Sequence, residues 1–438
     1  MPGPTESVSA GKDDATVWPL GHSRANGSSE GSLPPSVVGV ADLRATNAAA
    51  VLAAVRSAGS PARVAELAQL TRLSRPTVEV IVEDLLRSGL IEDAPAVSSR
   101  GVKSPGRPAR RLTFRPTAGF VVGVDVRVRT VSCLVSDLEG RPVASRQRSV
   151  RHDLTGTARA GVVTSVVREA MEQAGAEIPQ ICAVTVATPG WVQDNTRIRY
   201  VDNLRDWAEV DIVRVLGDVL GCPVAVENDA NLAALGEQWR GTAAGTEDMI
   251  FLLLGERLGA GIITGDRLLR GHHGAAGEIG FMVFPDGNPL AARDLGSQGR
   301  QRPGISPDSV YSDADIVRRA AAGDPDAVTG LESVGQRIAE ALAPVLLTVD
   351  PAVVVLGTSL FALPESADAT DHVLRAAERR SAELLVDPPG WRMSTLGDEA
   401  IRTGAVRFAL SAVDRVLLTR PTSLLLRQPP DAVAPPTA

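Results

Sequence analysis

A cycle of strands and helices that occurs twice in succession constrains this chain more than any other feature. The first cycle comprises β-like runs at 120–128, 130–138 and 142–150, a helical stretch at 157–174, strands at 181–187 and 223–226, and a helix at 230–239. The second comprises strands at 249–254 and 260–264, helices at 313–322 and 327–349, and a strand at 353–356. Strands that alternate with helices in this way form α/β layers. The duplication therefore predicts a two-lobed α/β body with a cleft between the lobes.

Length and composition exclude several other classes of protein. The 438 residues are too many for one ordinary core, and 44% hydrophobic with 22% charged residues is typical of a globular protein. No apolar run reaches the roughly 18 to 20 residues of a membrane-spanning helix, and we find no signal-peptide pattern at the N-terminus. Cys133, Cys182 and Cys222 lie far apart and form no metal-ligand motif. We therefore expect a reduced, cytoplasmic protein that does not associate with membranes.

Three short helical patterns precede the body, within residues 42–93. The third has apolar residues at helical spacing from Val78 to Leu86, Ser74 is placed to cap its N-terminus, and Pro76 falls in its first turn, where a missing N–H costs little. Gly89 is suited to end it. Three short helices with a tight turn before the third predict a helix-turn-helix, whose third helix enters the major groove of DNA.

A basic segment follows these helices. Residues 99–116 carry six positive charges and no acid. The first 116 residues hold 14 basic and 11 acidic residues, a net charge of +3, whereas the remainder holds 31 and 41, a net charge of −10. A turn at Gly106-Arg107-Pro108 can place one arginine in a narrow minor groove. The alternative is that the basic segment is a solvated linker. Because the segment directly follows three helices with helix-turn-helix spacing, we favour DNA binding. Residues 1–40 and 427–438 are expected to be disordered tails.

We expect the following residues to contact DNA. Arg75 can reach a phosphate or a guanine, Thr77 and Val80 can contact base edges, and Glu79 can accept a hydrogen bond from cytosine. The full predicted set is Ser74, Arg75, Thr77, Glu79, Val80, Lys103, Arg107, Arg110 and Arg111.

Several motifs resemble those of the ROK family of sugar kinases and sugar-responsive repressors. They are 226–237 (VENDANLAALGE), 270–280 (RGHHGAAGEIG), 354–358 (VVLGT) and 396–404 (LGDEAIRTG), while 73–78 (LSRPTV) and 106–109 (GRPA) resemble the DNA-binding part of its repressors. The resemblance covers roughly residues 42–415. It implies an actin-like (ribonuclease H-like ATPase) two-lobed α/β body behind an N-terminal winged helix-turn-helix. The implied domains are 41–116 for DNA binding, 117–240 with helix 398–420 for the first lobe, and 241–397 for the second.

The resemblance also identifies a kinase position and argues against kinase activity. In the family's kinases the aspartate that matches Asp229 is the general base; here Asp229 can instead cap the following helix or bind a sugar hydroxyl. The family's first phosphate loop reads Asp-x-Gly-Gly-Thr, whereas residues 125–130 read DVRVRT. In the second loop Glu256 would set a carboxylate beside phosphates, which Coulomb repulsion disfavours. We therefore expect no enzymatic activity and no bound cofactor.

The residues that bind zinc in the family are replaced in this sequence, whereas four of those that contact sugar are present. Relatives commonly hold a structural zinc through a His, replaced here by Phe281, and through cysteines absent from 285–307, so we expect no metal site. His272 and His273 are interpreted as hydrogen-bonding loop residues. Positions that contact sugar hydroxyls in relatives are occupied by Asn203, Asn228, Asp229 and Glu278. These residues predict binding of a polyol ligand, with structural remnants as the alternative.

Two functions from different classes remain open. The first is a DNA-binding regulator, in particular a repressor, that acts as a homodimer or homotetramer on a double-stranded operator and senses a small sugar or sugar phosphate. The second is an active ATP-dependent sugar kinase with an added DNA-binding domain. A dimeric repressor that responds to no ligand is a variant of the first.

Overall fold

The computed structural model describes residues 40–94, 110–254, 258–281, 313–358 and 367–425. The predicted tails at 1–40 and 427–438 lie outside these residues, apart from Val40, which begins the first helix. Within the described ranges, a small N-terminal domain precedes two larger lobes.

The N-terminal domain is a winged helix-turn-helix. Its elements are α1 (Val40–Ser57), β1 (Ala62–Arg63), α2 (Val64–Thr71), α3 (Arg75–Arg87), β2 (Ile91–Asp93) and β3 (Arg111–Phe114). The three strands form an antiparallel sheet in the order β1-β3-β2. The Ser74 hydroxyl accepts a hydrogen bond from the Thr77 amide at 3.3 Å, and Gly89 follows α3 with φ of +74°. Both predicted ends of the third helix are therefore confirmed.

The first lobe contains a five-stranded mixed sheet. Its elements are β4 (Phe120–Val126), β5 (Thr130–Asp137), β6 (Pro142–Ser149), α4 (Gly156–Ala174), β7 (Ile181–Thr188), β8 (Trp191–Gln193), β9 (Arg197–Tyr200), α5 (Ile212–Leu220), β10 (Val224–Asn228) and α6 (Asp229–Arg240). The strand order is β10-β7-β4-β5-β6, with β4, β7 and β10 parallel. Strands β8 and β9 form a separate hairpin, which their short apolar runs did not predict.

The second lobe repeats the topology of the first. Its elements are β11 (Met249–Leu254), β12 (Leu258–Thr264), β13 (Arg267–Leu268), α7 (Asp313–Ala321), α8 (Pro325–Val349), β14 (Val353–Thr358), α9 (Ala367–Leu384) and β15 (Gly390–Met393). The order β13-β12-β11-β14-β15 again combines an antiparallel meander with two parallel strands. The predicted duplication is therefore confirmed. Helix α9 and strand β15 are elements that the sequence did not predict.

Two helices, α6 and the C-terminal helix α10 (Ala400–Thr419), pack against each other between the lobes. Their backbones approach closely because Gly236 and Gly404 face the partner helix at the crossing. A Cβ atom on Gly404 would overlap the Leu232 carbonyl oxygen, and one on Gly236 would overlap that of Ala400. Glycine is thus required at this crossing for packing and not for its backbone angles.

The N-terminal domain packs against helix α10. Arg56 of α1 donates to Asp414 of α10 at 3.1 Å, and Arg420 lies 3.5 Å from Asp42 of α1. One hydrophobic cluster runs without interruption from the helix-turn-helix core through α10 to the space between the lobes. The N-terminal domain is therefore packed against the same helix that borders the interlobe space.

A candidate ligand cleft and a candidate DNA-binding face

A cleft of about 250 Å³ opens between the lobes. It lies at the carboxyl ends of β7, β10, β11 and β14, where Gly190, Asn228, Leu254 and Gly357 belong to its lining. Ligands of α/β sheets bind at this edge, because the loops and helix N-termini that follow the strands present polar groups there.

The four predicted sugar-contact residues come together in this cleft. Asn203, Asn228, Asp229 and Glu278 all line it, although Asn203 and Glu278 lie outside the sheets. The Asn203 Oδ1 atom is buried and accepts no hydrogen bond from the described residues. An unsatisfied buried acceptor costs free energy unless a donor such as a ligand hydroxyl reaches it.

Asn228 and Asp229 occupy the first turn of α6 in different ways. The Asn228 side chain caps the helix by accepting from the Asn231 amide at 3.0 Å, and it donates to the Gly190 carbonyl at 3.0 Å. Asp229 accepts from the Ala230 amide at 2.8 Å. The capping role considered for Asp229 is therefore wrong, because its neighbour performs it. The Asp229 carboxyl is left facing the cleft.

Asp229 shares the cleft with other carboxylates. Burial away from water, reinforced by the negative charge of Asp125, raises the pKa of Asp229 from 3.8 to about 7. Burial also raises the pKa of Asp125, and the adjacent Arg127 opposes that rise. At neutral pH Asp229 is thus poised between donating and accepting a hydrogen bond.

This raised pKa predicts a pH-dependent stability. Between about pH 4 and pH 7 the folded chain keeps a proton on Asp229 that the unfolded chain has lost, so the free energy of unfolding falls as the pH rises through that window. We expect Asp229→Asn to increase the free energy of unfolding by a few kcal/mol at pH 8 and to change it little at pH 4, since each unit of pKa shift is worth about 1.4 kcal/mol.

Urea unfolding at several pH values measures this effect. Asp218→Asn is the matched control, because Asp218 is an exposed carboxylate on α5. A difference between wild type and Asp229→Asn that stays constant from pH 4 to pH 8 would contradict the prediction.

The turn between β4 and β5, which corresponds to the first phosphate loop of the family's kinases, contains Arg127. Arg127 donates to Asp125 at 2.7 Å and to the Asp398 carboxylate at 3.0 Å, so its guanidinium joins the β4–β5 turn to the segment just before α10. The backbone of this turn is held by the buried Arg159, which donates to the carbonyls of Arg127 and Val128 at 2.7 and 3.2 Å. The Arg127 side chain, which replaces a glycine of the family's phosphate loop, is thus held in place by hydrogen bonds.

The second phosphate loop is described only in part. Leu254 pairs with Leu258 where β11 turns into β12, and both side chains are buried. Glu256 lies outside the described residues, as does the loop 285–307. Phe281 ends a short 3-10 helix that begins at Ile279. Among the described residues, no three His, Cys, Asp or Glu side chains are grouped as a metal site requires.

The ion pair between Glu227 and Arg270, which the sequence did not predict, lies next to the cleft. Glu227 is 2% exposed, and its carboxylate accepts from Arg270 at 2.6 Å, from Asn195 at 2.9 Å and from Asn231 at 3.1 Å. Glu227 precedes Asn228 on β10, whereas Arg270 begins the loop that leads to Glu278. The pair therefore links the two lobes at the cleft. Both residues lie inside motifs quoted above, but their pairing requires the folded arrangement.

On the DNA-binding face, the predicted residues of α3 are mostly exposed. Arg75 and Val80 point to solvent, and Arg75 lies 3.0 Å from Glu79 one turn further along the helix. The Ser74 and Thr77 hydroxyls lie 2.7 Å apart. Arg75 is therefore already paired in the absence of DNA, so DNA competes with Glu79 for its guanidinium.

The wing contains both described and undescribed positions. Arg110 donates to Asp93 and to Glu83, which raises its pKa and ties the wing to α3. Arg111 lies in β3. Lys103 and Arg107 lie outside the described residues. Arg63 and Arg72, at the two ends of α2, are also exposed arginines of this domain and were not among the predicted residues.

Comparisons with known proteins agree with this architecture. Residues 121–410 match the ROK family, and residues 45–95 match the IclR helix-turn-helix domain. No helix in the described part of the chain is long and apolar enough to cross a membrane.

Individual relatives include repressors and kinases. The chain is 25% identical to the xylose repressor of Bacillus subtilis (strain 168) over 311 residues, which cover 69% of this chain and 79% of that protein. It is 29% identical to the glucokinase of Streptomyces coelicolor over 227 residues, which cover 48% and 68%. A solved ROK family transcriptional regulator, a homologue of the E. coli MLC protein, superposes with a TM-score of 0.65 at 19% identity and covers 87% of this chain and all of that one. This last likeness shows the fold alone.

Proposed function

This chain belongs to the ROK family, and we propose that it is a DNA-binding transcriptional repressor whose two-lobed body senses a carbohydrate. One observation carries the proposal: a single chain joins the helix-turn-helix at 45–95 to the ROK body at 121–410. Its similarity to a xylose repressor supports the same reading. We assign DNA binding to residues 41–116, the first lobe to 117–240 with 398–420, and the second lobe to 241–397.

The proposed DNA interface is the exposed face of α3 together with the basic wing. Arg75, Thr77, Glu79 and Val80 face the major groove in this arrangement, with Ser74 at the helix N-terminus. Lys103, Arg107 and Arg111 are assigned to phosphates and the minor groove, and Arg110 positions the wing through Asp93 and Glu83. A two-fold symmetric homodimer or homotetramer would read a palindromic operator in the cytoplasm, where chromosomal DNA lies.

The interface predicts a specific effect of Arg75→Ala. We expect this variant to bind the DNA upstream of its own coding sequence about 10-fold more weakly, because a good base or phosphate contact is worth roughly 1–3 kcal/mol. Glu79→Gln is expected to strengthen binding to unrelated DNA, since it releases Arg75 and removes a charge that repels phosphates. Fluorescence anisotropy at two salt concentrations measures both changes.

Arg214→Ala on α5 is the control, because Arg214 is an exposed arginine of the body. Equal affinity of the Arg75→Ala variant and the wild type for that DNA would remove the assignment of α3 as the recognition helix.

For the sensor, we propose that a sugar binds Asn203, Asn228, Asp229 and Glu278 and acts on DNA binding through α10. Ala400 and Ile401 at the start of α10 line the cleft, while Asp414 near its other end pairs with Arg56 of α1. A helix transmits a shift at one end to the other because its backbone hydrogen bonds keep it rigid. A ligand that favours one position of α10 therefore changes the position of the DNA-binding domain.

Kinase activity is the second candidate, because glucokinases are among the relatives and Asp229 is retained in the cleft. The Arg127 bridge argues against it, since this guanidinium takes the place of the glycines that let backbone amides approach phosphate. ATP turnover with a sugar panel decides between the two candidates. Turnover that Asp229→Asn abolishes would establish a kinase; no turnover, with sugar-sensitive DNA binding, would establish the repressor. DNA binding that no sugar changes would establish a ligand-independent repressor.

A further inference from the structure

We propose that the β4–β5 turn, residues 127–129, binds the phosphate group of a phosphorylated sugar, and that this phosphate displaces Asp398 from Arg127. The inference rests on sugar sensing by the cleft, as proposed above, and adds the class of sugar and the contact that changes on binding. Arg127, Val128 and Arg129 all line the cleft, as does Asp398, so a ligand held in the cleft can contact them.

The turn has more positive than negative charge around it. Arg127 is paired with Asp125 and Asp398. Arg129 is exposed, and it forms no ion pair with any other residue that the structure describes. Arg159 of α4 is fully buried behind the turn, where it donates to two carbonyls of the turn and has no carboxylate partner among the described residues. An uncompensated buried charge is costly, and an anion bound at the turn offsets it.

Asp398 is the more easily displaced of the two partners of Arg127. Its side chain is 57% exposed and lies 3.0 Å from the guanidinium, whereas that of Asp125 is 3% exposed and lies 2.7 Å away. Water screens an exposed ion pair, so such a pair contributes little stability. A phosphate carries a charge of about −1.5 to −2 at neutral pH and can accept two parallel hydrogen bonds from a guanidinium. A phosphate that reaches Arg127 therefore replaces Asp398 and leaves Asp125 in place.

The other polar groups of the cleft favour a sugar as the remainder of the ligand. Asn203 and Asn228 are uncharged, and burial raises the pKa of Asp229 to about 7, so a protonated Asp229 carboxyl can donate to a phosphate oxygen or to a hydroxyl. Asp202 and Glu278 place negative charge on the cleft wall. They favour a ligand whose charge is confined to the turn and whose other groups are hydroxyls. A nucleoside triphosphate spreads its negative charge further along the cleft and is disfavoured for that reason.

Displacement of Asp398 gives the phosphate a route to the DNA-binding domain. Asp398 lies two residues before Ala400, the first residue of α10, and Arg127 joins it to the first lobe. When phosphate takes the guanidinium, this connection between the β4–β5 turn and the start of α10 is lost. A phosphorylated sugar therefore stabilises a different position of α10 from the one that the free chain holds, which is the requirement for a signal.

The test is calorimetric titration of the full chain with matched pairs of free and phosphorylated sugars. Glucose, mannose and N-acetylglucosamine are each compared with their 6-phosphates, and xylose with its 5-phosphate, while inorganic phosphate and ATP are titrated alone. We expect at least one phosphorylated sugar to bind about 10- to 100-fold more tightly than its free sugar, the range for hydrogen bonds to charged groups. Inorganic phosphate and ATP should bind more weakly than that sugar phosphate.

Three variants separate the roles of the turn and of Asp398. Arg129→Met should remove most of the preference for the phosphorylated sugar, whereas Arg129→Lys, which keeps the charge, should retain part of it. Asp398→Asn should strengthen binding of the phosphorylated sugar roughly 2- to 5-fold, because the competing carboxylate is gone. Arg214→Met is the control, since Arg214 is an exposed arginine of α5 that does not line the cleft.

Free sugars that bind as tightly as every phosphorylated partner would overturn the proposal. So would an Arg129→Met variant that weakens both members of a pair equally, because Arg129 would then contact the ring or support the fold. Weaker binding to Asp398→Asn would overturn the displacement, since Asp398 would then hold Arg127 in place for the phosphate. Inorganic phosphate or ATP that binds as tightly as any sugar phosphate would identify a site for those anions instead.

The same titrations distinguish failure of this proposal from failure of the sensor function. Absence of binding by all sugars, free and phosphorylated, would refute the sensor function itself. Free sugars that bind without any preference for their phosphorylated forms would refute only the phosphate site and leave the sensor function intact.

Discussion

Arg270→Met is expected to lower the free energy of unfolding by about 3 kcal/mol. The substitution removes the guanidinium that lies 2.6 Å from Glu227 but keeps most of the side-chain volume. Glu227 is almost fully buried, and an unpaired buried carboxylate costs about 3–5 kcal/mol. We expect the lower end of that range, because Arg270 is itself 28% exposed and water can replace part of the interaction.

Urea denaturation of three variants tests the role of this pair. Arg214→Met removes an exposed ion pair on α5 and should cost less than about 1 kcal/mol. Adding Glu227→Gln to Arg270→Met should recover much of the loss, because no charge then remains buried. A loss for Arg270→Met as small as that for Arg214→Met would show that the Glu227 carboxylate is solvated in the folded chain.

The second large effect is expected for Gly404→Ala. The new methyl group would overlap the Leu232 carbonyl oxygen of α6, and a backbone atom cannot rotate away as a side chain can. Either α6 or α10 must shift, and overpacking of this kind costs about 1–3 kcal/mol or more. Both helices begin at the cleft, so we expect sugar and DNA affinity to fall as well.

Gly330→Ala provides the comparison for this substitution. Gly330 also lies within a long helix, α8, but a Cβ atom there meets nothing within 4 Å. That variant should be neutral or stabilised by up to about 1 kcal/mol, since alanine favours a helix over glycine. Chemical denaturation of the two variants separates packing from helix propensity, and equal effects would contradict the close crossing of α6 and α10.

Much of the fold could be predicted because local patterns specify it. The spacing of apolar residues in α3, its Ser74 cap and the two cycles of strands all express preferences of neighbouring residues. Helix α9 was missed because its sequence, with Ala, Asp, Arg and Glu dominant, carries only a narrow apolar stripe. The β8–β9 hairpin was missed because strands of three and four residues carry too little pattern to detect.

The candidate site also has a part that could be predicted from the sequence and a part that could not. Asn228, Asp229 and Glu278 could be predicted from motifs and Asn203 from its position in the family, and the structure brings the four together in one cleft. The Arg127–Asp398 pair could not, because its members are 271 residues apart and meet only when α10 returns to the first lobe. Contacts between elements distant in the chain depend on topology, which residue patterns specify only indirectly.

The packing of α1 on α10 has a consequence for the synthesis of this protein. Arg56 and Asp414 are 358 residues apart, so α1 leaves the ribosome long before the helix it packs against. At roughly 5–20 residues per second, that interval is about 20–70 s. During that interval the helix-turn-helix lacks the surface of α10 against which it packs. The control of DNA binding that we propose for the body requires α10, and it can begin only when α10 has been translated and packed between the lobes.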